Sequence, residues 1–533
     1  LKLATVKKML ASGVLSLAAL VISLRELGAA ASTEKPSGKP HPLPRHVVVM
    51  VWDGMRPDFV TAENTPALYA LSRRGVTFAH HHSVYPSATE VNGTALSTGA
   101  YPVHSGIMAN TEYRPDLDPL KPVHTEALAV VRRGDELTRG RYIHLPTVAE
   151  LVRQSGRRAV VAGAKPIALL ADRADKKSGD GEGMLFAGMT LPPELRAQLT
   201  NHYGEFPKEL ATGPTRIDWT TDALMDPFWA KEIPAFTLLW LNEPDFNQHQ
   251  TGPGSSQSLA AMRNADENLA KILRVLASKG ALETTDVIIV SDHGCSTLSA
   301  AADLVAGLNA AGIKAVREFQ KKPEPGEILV VSNSGSSLVY VLGHDQELIQ
   351  TIVKFLQGWE FTGVIFTRKP LPGTFALDQI RVATPEAPDV VISMRWTPEK
   401  SKNGTQGMLP GDRSTYSPGQ GLHVSLSPFD MHATLVAAGP DFRSAIVDTL
   451  PTGNVDVAPT VLWLLGIKPP KTMDGRILTE ALTINGPPLK SYQPHHIETT
   501  HEQGNSVWHQ YLNFTELNGV IYLDEGNGWQ TPK

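Results

Sequence analysis

Three unbroken apolar runs stop on acids and imidazoles. HVVVMVW (46–52) runs into Asp53, FTLLWL (236–241) reaches Asp245 and His249, and VIIVS (287–291) ends at Asp292-His293. Short continuous apolar runs of this kind predict strands buried on both faces. Between them the spacing becomes helical. NTPALYALSRRGVTF (64–78) predicts a helix capped at Asn64 or Thr65, with Pro66 in its first turn and Gly75 near its stop. HLPTVAELVRQSGRRAVVAGAK (144–165) predicts a helix, a break at Gly156 and a strand ending at Lys165. The segment from Ser258 to Gly294 predicts a long helix feeding the third run. Alternating helices and buried strands predict an α/β fold: a mainly parallel central sheet flanked by helices on both faces.

From about 300 to 415 the pattern changes. EILVVSNSGSSLVYVLGHDQELIQTIVKFLQG and DVVISMRW predict a smaller α+β insert, followed by a loop rich in Gly, Pro and Ser. Helical apolar spacing returns in DMHATLVAAGP and VDVAPTVLWLLGI, and the extension over 485–533 predicts a terminal strand or hairpin. At the other end, Lys2, Lys7 and Lys8 precede an apolar run from Met9 to Leu24 and then Ala29-Ala30-Ala31-Ser32. That order predicts a signal peptide over 1–31 and export to the periplasm or the outside, with a Pro-rich linker over 32–45 and a catalytic domain over 46–484. Arg25 and Glu26 cut the apolar run short of the ~20 residues of a membrane span, so no stable span is expected once the signal is removed.

The composition narrows the function. With 533 residues, 41% hydrophobic and 19% charged, the chain is an ordinary globular protein large enough for one big domain with insertions. A formal net charge of −5 and no long basic run exclude a nucleic-acid polymer as the main partner. A small phosphate ester or phosphonate remains compatible, because bound metal inverts the local field. Cys295 is the only cysteine, so no intrachain disulfide forms; it reads as a small packed residue.

In an open α/β sheet, ligands bind beyond the C-terminal ends of the strands. Asp53, Asp245, Asp292 and His293 all fall at such ends, and one helical turn would put His249 on the same face as Asp245. His423 follows the insert. Three Asp and three His form a donor set suited to a dinuclear site for a cation such as Zn²⁺, and the lack of thiolate ligands favours a catalytic over a structural metal. A single strand-end Asp is ordinarily a cap and a single His ordinarily a surface residue; it is the joint pattern that carries weight. His80, His81 and His82 have no matching carboxylates around them and read as loop or as residues behind the site.

The segments VVMVWDGMRPD, YPSATEVNGTALSTGAYPVHSGIMAN, NEPDFNQHQTGP, VSDHG and GLHVSLSPFDMHATLVAAGPDF together resemble the nucleotide pyrophosphatase/phosphodiesterase family of the alkaline phosphatase superfamily. The resemblance covers roughly residues 46–300 and 420–480 and implies an alkaline-phosphatase-like fold. It implies two zinc ions, one held by Asp245, His249 and His423, the other by Asp53, Asp292, His293 and the nucleophile, Thr89. It implies in-line attack by Thr89, a phosphothreonine intermediate, and a phosphoryl contact from Asn110. Without the resemblance, Thr89 is not separable from Ser87, Thr94, Ser97 and Thr98. Asn92 reads as a loop or cap residue.

Three positions stand out against that pattern. Glu90 follows the nucleophile where nucleotide-cleaving relatives often carry an aromatic; it recognises an amine or sugar hydroxyls, or points to solvent. Val424 stands where a Gly usually follows the last histidine, which predicts a local change of backbone. Lys165 either binds an anion at the site mouth or is a surface lysine. The expected function is an exported zinc-dependent hydrolase of phosphodiester or pyrophosphate bonds. A phosphonate hydrolase or phosphomonoesterase on the same scaffold is the alternative, and a non-catalytic binding protein is a third reading.

Overall fold

The three acid-ending runs are neighbouring strands. His46–Trp52 lies between Phe236–Leu241 and Thr285–Val290 and runs parallel to both, with Val47 opposite Phe236 and His46 opposite Thr285. The structure, a computed structural model, describes residues 45–173, 183–208, 215–413, 415–483 and 491–533. The expected signal peptide and all but the last residue of the linker lie outside the described residues.

These strands are the centre of a nine-stranded sheet. Its order is Ile446–Gly453, Val76–His82, Leu435–Ala438, Thr285–Val290, His46–Trp52, Phe236–Leu241, Ala159–Gly163, Met184–Phe186 and Met189–Leu191. Five neighbouring pairs are parallel and three antiparallel, so the sheet is mainly parallel. Successive side chains of a strand point to opposite faces. Val47, Val49 and Val51 accordingly join one core with Leu96, Val131, Val148 and Val461, from helices Thr89–Thr98, Leu128–Thr138, Val148–Gln154 and Val457–Leu464. Val48, Met50 and Trp52 join the other with Leu68, Ile217 and Met262, from Pro66–Ser72, Arg216–Ala223 and Ser256–Ser278. Helices therefore cover both faces. The longest, Ser256–Ser278, buries Met262, Ala265, Leu269, Ile272 and Leu276 at alternating spacings of three and four, and the Ser255 hydroxyl accepts from the Ser258 N–H at its start.

Two segments depart from the expected pattern. The helix expected over 64–78 has Thr65 as its cap and Pro66 first, but ends at Ser72; Val76 to His82 is then a strand, which contains His80, His81 and His82. In DMHATLVAAGP (430–440) only Asp430 and Met431 are helical, as the end of Pro428–Met431, and Leu435–Ala438 is a strand antiparallel to Thr285–Val290. A short apolar run buried on both faces has the same pattern in either conformation, and pairing with a central strand decided it.

Residues 315–394 form a six-stranded sheet, ordered Ala315–Val316, Ile328–Asn333, Ser336–Val341, Val390–Met394, Thr362–Thr367, Phe375–Ala376, with helix Gln346–Gly358 packed on it. A small sheet made of Thr397–Lys400, Gln406–Asp412, Ser296–Ala302 and Gly421–Leu422 links this part back to the centre and delivers His423. The C-terminal extension holds more than a hairpin: Gln493–Gln503, Ser506–Leu517 and Val520–Pro532 make a three-stranded antiparallel sheet.

Candidate metal centre and active site

The strand ends converge because the backbone ties them together. The Asp245 N–H donates to the Asp53 carbonyl at 2.9 Å, and the Gly54 N–H donates to Asp292 Oδ1 at 3.0 Å. Gly54 has a φ of +72°, and a Cβ there would stand 2.9 Å from the Asp245 Cβ, so only glycine lets the two segments approach this closely. Asp245 opens helix Asp245–Thr251 and His249 lies one turn on, as its spacing predicts.

Each carboxylate has one oxygen held by the protein and one left over. Asp292 Oδ1 accepts from the N–H groups of Gly54 and His293, each at 3.0 Å. Asp53 Oδ2 accepts from Trp240 Nε1 at 3.0 Å and Lys165 Nζ at 2.7 Å, and Asp245 Oδ2 from Lys165 Nζ at 3.2 Å. The remaining oxygens, Asp292 Oδ2, Asp53 Oδ1 and Asp245 Oδ1, are buried and accept no hydrogen bond. The histidines are arranged to match. Their Nδ1 atoms face main-chain carbonyls: Gly421 at 2.8 Å for His249, Gly294 at 2.8 Å for His293 and Ser87 at 2.9 Å for His423. That contact puts the proton on Nδ1 and leaves the Nε2 lone pair free for a metal. His249 and His423 present Nε2 at 3.2 and 3.8 Å from Asp245 Oδ1; His293 presents it at 3.2 Å from Asp292 Oδ2 and 3.5 Å from Asp53 Oδ1.

The electrostatics agree with this donor set at His293 and His423, whereas at His249 the Asp245 carboxylate outweighs burial and raises the imidazole pKa. Burial pushes the imidazoles of His293 and His423 below their usual range, for His423 with help from His293, whose ring stacks on it at 3.6 Å; both rings are therefore neutral, the form that binds metal. Burial, and then Asp53, pushes the Asp292 carboxyl well up. Asp245 lies well below its usual range, because His249 and Lys165 outweigh its burial. Two buried groups, Asp245–His249–His423 and Asp53–Asp292–His293, thus each bring three donor atoms together, and orphaned carboxylate oxygens facing Nε2 lone pairs fit divalent cations.

Thr89 is the first residue of helix Thr89–Thr98, and its Oγ1 is 3.2 Å from His293 Nε2. Ala88 in the capping position offers no side-chain acceptor; the Asn92 N–H donates to the Ala88 carbonyl at 3.0 Å, and the positive end of the helix dipole lies at Thr89. Asn110 Oδ1 accepts from the Glu90 N–H at 3.1 Å, which leaves the amide nitrogen as the free donor. Ser87, Thr94 and Thr98 spend their hydroxyls on main-chain carbonyls. Asn92 is inside the helix, not in a loop; it bonds Val84 and Ala88 and fixes the turn before Thr89.

Lys165 is no plain surface lysine. Its side chain is 25% exposed and its ammonium bridges Asp53 and Asp245. Burial opposes its charge, but Asp53, Asp245 and Asp292 outweigh that and keep it protonated. Glu90 does not point to solvent: it is 6% exposed, Oε2 has no partner, and burial together with Glu126 pushes its carboxyl well up. Val424 has a φ of +75°, in the left-handed region that favours glycine.

Sequence reasoning did not find Glu126, whose carboxyl burial raises to about 7, nor Trp240, nor Asn454, which donates to the Asp292 carbonyl at 2.7 Å. None of them lies in a motif, and only the Trp240 position at the end of a strand beside Asp53 carries a signal. Behind the site, His81 is buried with Nε2 at 2.9 Å from Asn454 Oδ1.

Known proteins share part of this sequence and its fold. Human ectonucleotide pyrophosphatase/phosphodiesterase family member 7 is 22% identical over 264 residues, 49% of this chain and 50% of that protein. The bis(5'-adenosyl)-triphosphatase enpp4 of Xenopus laevis is 23% identical over 258 residues, 48% of each. The chain spans about half the length of the curated relatives it matches. In fold it is similar to murine ectonucleotide pyrophosphatase/phosphodiesterase 5, solved as an inactive variant in complex with AMP, with a TM-score of 0.59 over 82% of this chain and 100% of that one, at 16% identity. The model of the family described as type I phosphodiesterase / nucleotide pyrophosphatase matches residues 47–392, well over half of the sequence, and the chain belongs to that family.

Proposed function

We propose that the chain is an exported hydrolase of phosphodiester or pyrophosphate bonds that works through a phosphothreonine intermediate on Thr89 with two zinc ions. The observation that carries the reading is the Thr89 hydroxyl, at a helix N-terminus and 3.2 Å from His293 Nε2, beside two groups of metal donors. Asp245, His249 and His423 would hold one ion; Asp53, Asp292, His293 and Thr89 the other. Bound there, the ions supply Lewis-acid charge that makes a threonine hydroxyl nucleophilic and offsets phosphoryl charge. The basic residues and apolar run over 2–24 support export.

Thr89 Oγ1 attacks phosphorus in line, the bond to the leaving oxygen breaks, and the leaving group departs with that electron pair. Water then attacks the phosphothreonine, releasing phosphate monoester and restoring the hydroxyl. The Asn110 amide nitrogen would donate to a phosphoryl oxygen, and the positive end of the helix dipole at Thr89 would favour its charge. Lys165 adds positive charge, but Asp53 and Asp245 already engage it. A phosphate monoester carries one more charge to neutralise, and this favours a diester over a monoester substrate. The AMP bound by the murine relative supports a nucleotide-sized substituent.

Elemental analysis of active protein is expected to give zinc at the Asp/His groups, with activity lost to chelator and restored by zinc. Thr89→Ala is expected to lower kcat by roughly 10³-fold or more while its zinc content is unchanged. Near-normal turnover in that variant would mean that a different oxygen attacks. A rate comparison among bis-p-nitrophenyl phosphate, p-nitrophenyl phosphate, phosphonoacetate and a nucleotide pyrophosphate is expected to favour the first and last; faster turnover of the monoester or the phosphonate overturns the diester reading.

A further inference from the structure

We propose a third divalent-cation site, of the zinc class, held by His82, His432 and Asp524, that clamps the C-terminal sheet to the catalytic core. The three residues come from separate parts of the chain: the end of strand Val76–His82, the residue after helix Pro428–Met431, and strand Val520–Pro532. One ligand atom from each lies within 4.8 Å of the others. His82 Nε2 is 3.2 Å and His432 Nε2 2.7 Å from the same oxygen, Asp524 Oδ1. A tetrahedral zinc with bonds of about 2.0–2.1 Å spaces its donors about 3.3 Å apart, so these side chains need only small shifts to take one.

The tautomer of His82 points the same way. Its Nδ1 is 3.0 Å from the Thr452 carbonyl, which puts the proton there, and its side chain is only 5% exposed. In the neutral ring, Nε2 then presents a lone pair to a carboxylate oxygen, a contact that repels unless a proton or a cation joins it. This arrangement repeats that of His249, His423 and Asp245: an Nδ1 on a main-chain carbonyl, and two Nε2 atoms converging on one carboxylate oxygen. Here His432 and Asp524 are 40% and 39% exposed, so a cation reaches the site from solvent, and water completes its shell.

A clamp fits the surroundings. His82 and His432 face each other in a β-bridge, and the Ser83 N–H donates to the Met431 carbonyl at 2.7 Å. The turn from Ser83 to Ala88, which ends at Thr89, hangs from this point. A cation there joins that turn to the C-terminal sheet.

The test measures zinc per chain, and melting temperature with and without zinc, on the full-length protein. It compares wild type with two double variants, His432→Ala/Asp524→Asn and Asp245→Asn/His249→Gln. The first is expected to bind one zinc fewer than wild type and to lose part of the zinc-dependent rise in Tm. In chelator its circular dichroism should match that of chelated wild type. The second is expected to keep this zinc. Should that double variant bind as much zinc as wild type, the dinuclear reading fails while the third site stands. Equal zinc in wild type and the His432/Asp524 variant overturns the proposal. So does a wild-type Tm that depends on pH but not on zinc, since a proton then holds the cluster. If His432→Ala/Asp524→Asn does not fold, the single variant His432→Gln, at a largely accessible ring, decides by the same zinc count.

Discussion

Val424 holds a conformation that a β-branched residue rarely adopts. Its φ of +75° follows His423, and its side chain is buried with Val84, Val91 and Tyr101. The left-handed backbone costs about 1–2 kcal/mol, while burying a valine stabilises by about 1.5–3 kcal/mol. Val424→Gly relieves the first and forfeits the second, so urea unfolding is expected to show a net loss of no more than about 2 kcal/mol. Val424→Ala keeps the strain, loses most of the packing, and should be the less stable of the two; the reverse order would show that the backbone relaxes. At Lys165, replacement by Gln removes the cation between Asp53 and Asp245. Its expected effect is a roughly 10–100-fold loss of kcat/KM toward a diester with zinc content unchanged; normal kcat/KM would assign the lysine to apo-state charge balance alone. The acids and histidines of the candidate metal centre were legible in the sequence because they sit at strand ends and at helical spacing. Glu126 and Trp240 were not, since their places beside Glu90 and Asp53 come from segments with no shared motif, and the orientation of Glu90 depends on burial that a single residue type does not announce.

At the level of elements, the central strands and the helices of strong periodicity follow from the pattern, and the two segments that did not, Leu435–Ala438 and His80–His82, are strands whose state is set by their neighbours. Buried strands also carry a titration of their own. Asp286 in Thr285–Val290 is 1% exposed, and burial, then Asp441, pushes its carboxyl up to about 8. Arg45 pairs with Asp441 at 2.8 Å, and the Asp441 N–H donates to Asp286 Oδ1. An unfolded Asp titrates near ~3.9. Between the two values the folded state holds the extra proton, so the contribution of Asp286 to stability is fully present below about pH 4 and lost as pH rises through about 8. Asp286→Asn has no such proton to lose. Its Tm relative to wild type should improve from pH 5 to pH 9; parallel Tm profiles would place the Asp286 carboxyl back in the ordinary range.

For the molecule as a whole, the C-terminal sheet is where the sequence said least. Its middle strand, Ser506–Leu517, buries Trp508, Gln510 and Leu512 on one face, and the glutamine breaks the apolar alternation that would reveal a buried face. Gln510 is satisfied instead by the backbone of the six-stranded sheet: Oε1 accepts from the Ile365 N–H at 2.9 Å and Nε2 donates to its carbonyl at 3.1 Å. On the other side, the Tyr522 hydroxyl donates to Asp456 Oδ2 at 2.9 Å and accepts from Arg476 at 3.0 Å, and the Tyr101 hydroxyl donates to the Ile521 carbonyl. The sheet therefore finishes three cores rather than trailing from them, although it lies beyond the residues the family model matches. Trp508 is fully buried among Val339, Ile365 and Ile392, and its indole N–H donates to the Gly373 carbonyl at 3.1 Å. Truncation of a large buried aromatic costs about 3–5 kcal/mol. Trp508→Ala should therefore lower the urea midpoint of the whole protein by that amount of stability, in one transition that takes the proposed diesterase activity with it. A separate early transition, with activity surviving, would show that the sheet unfolds alone and that the catalytic core stands without it.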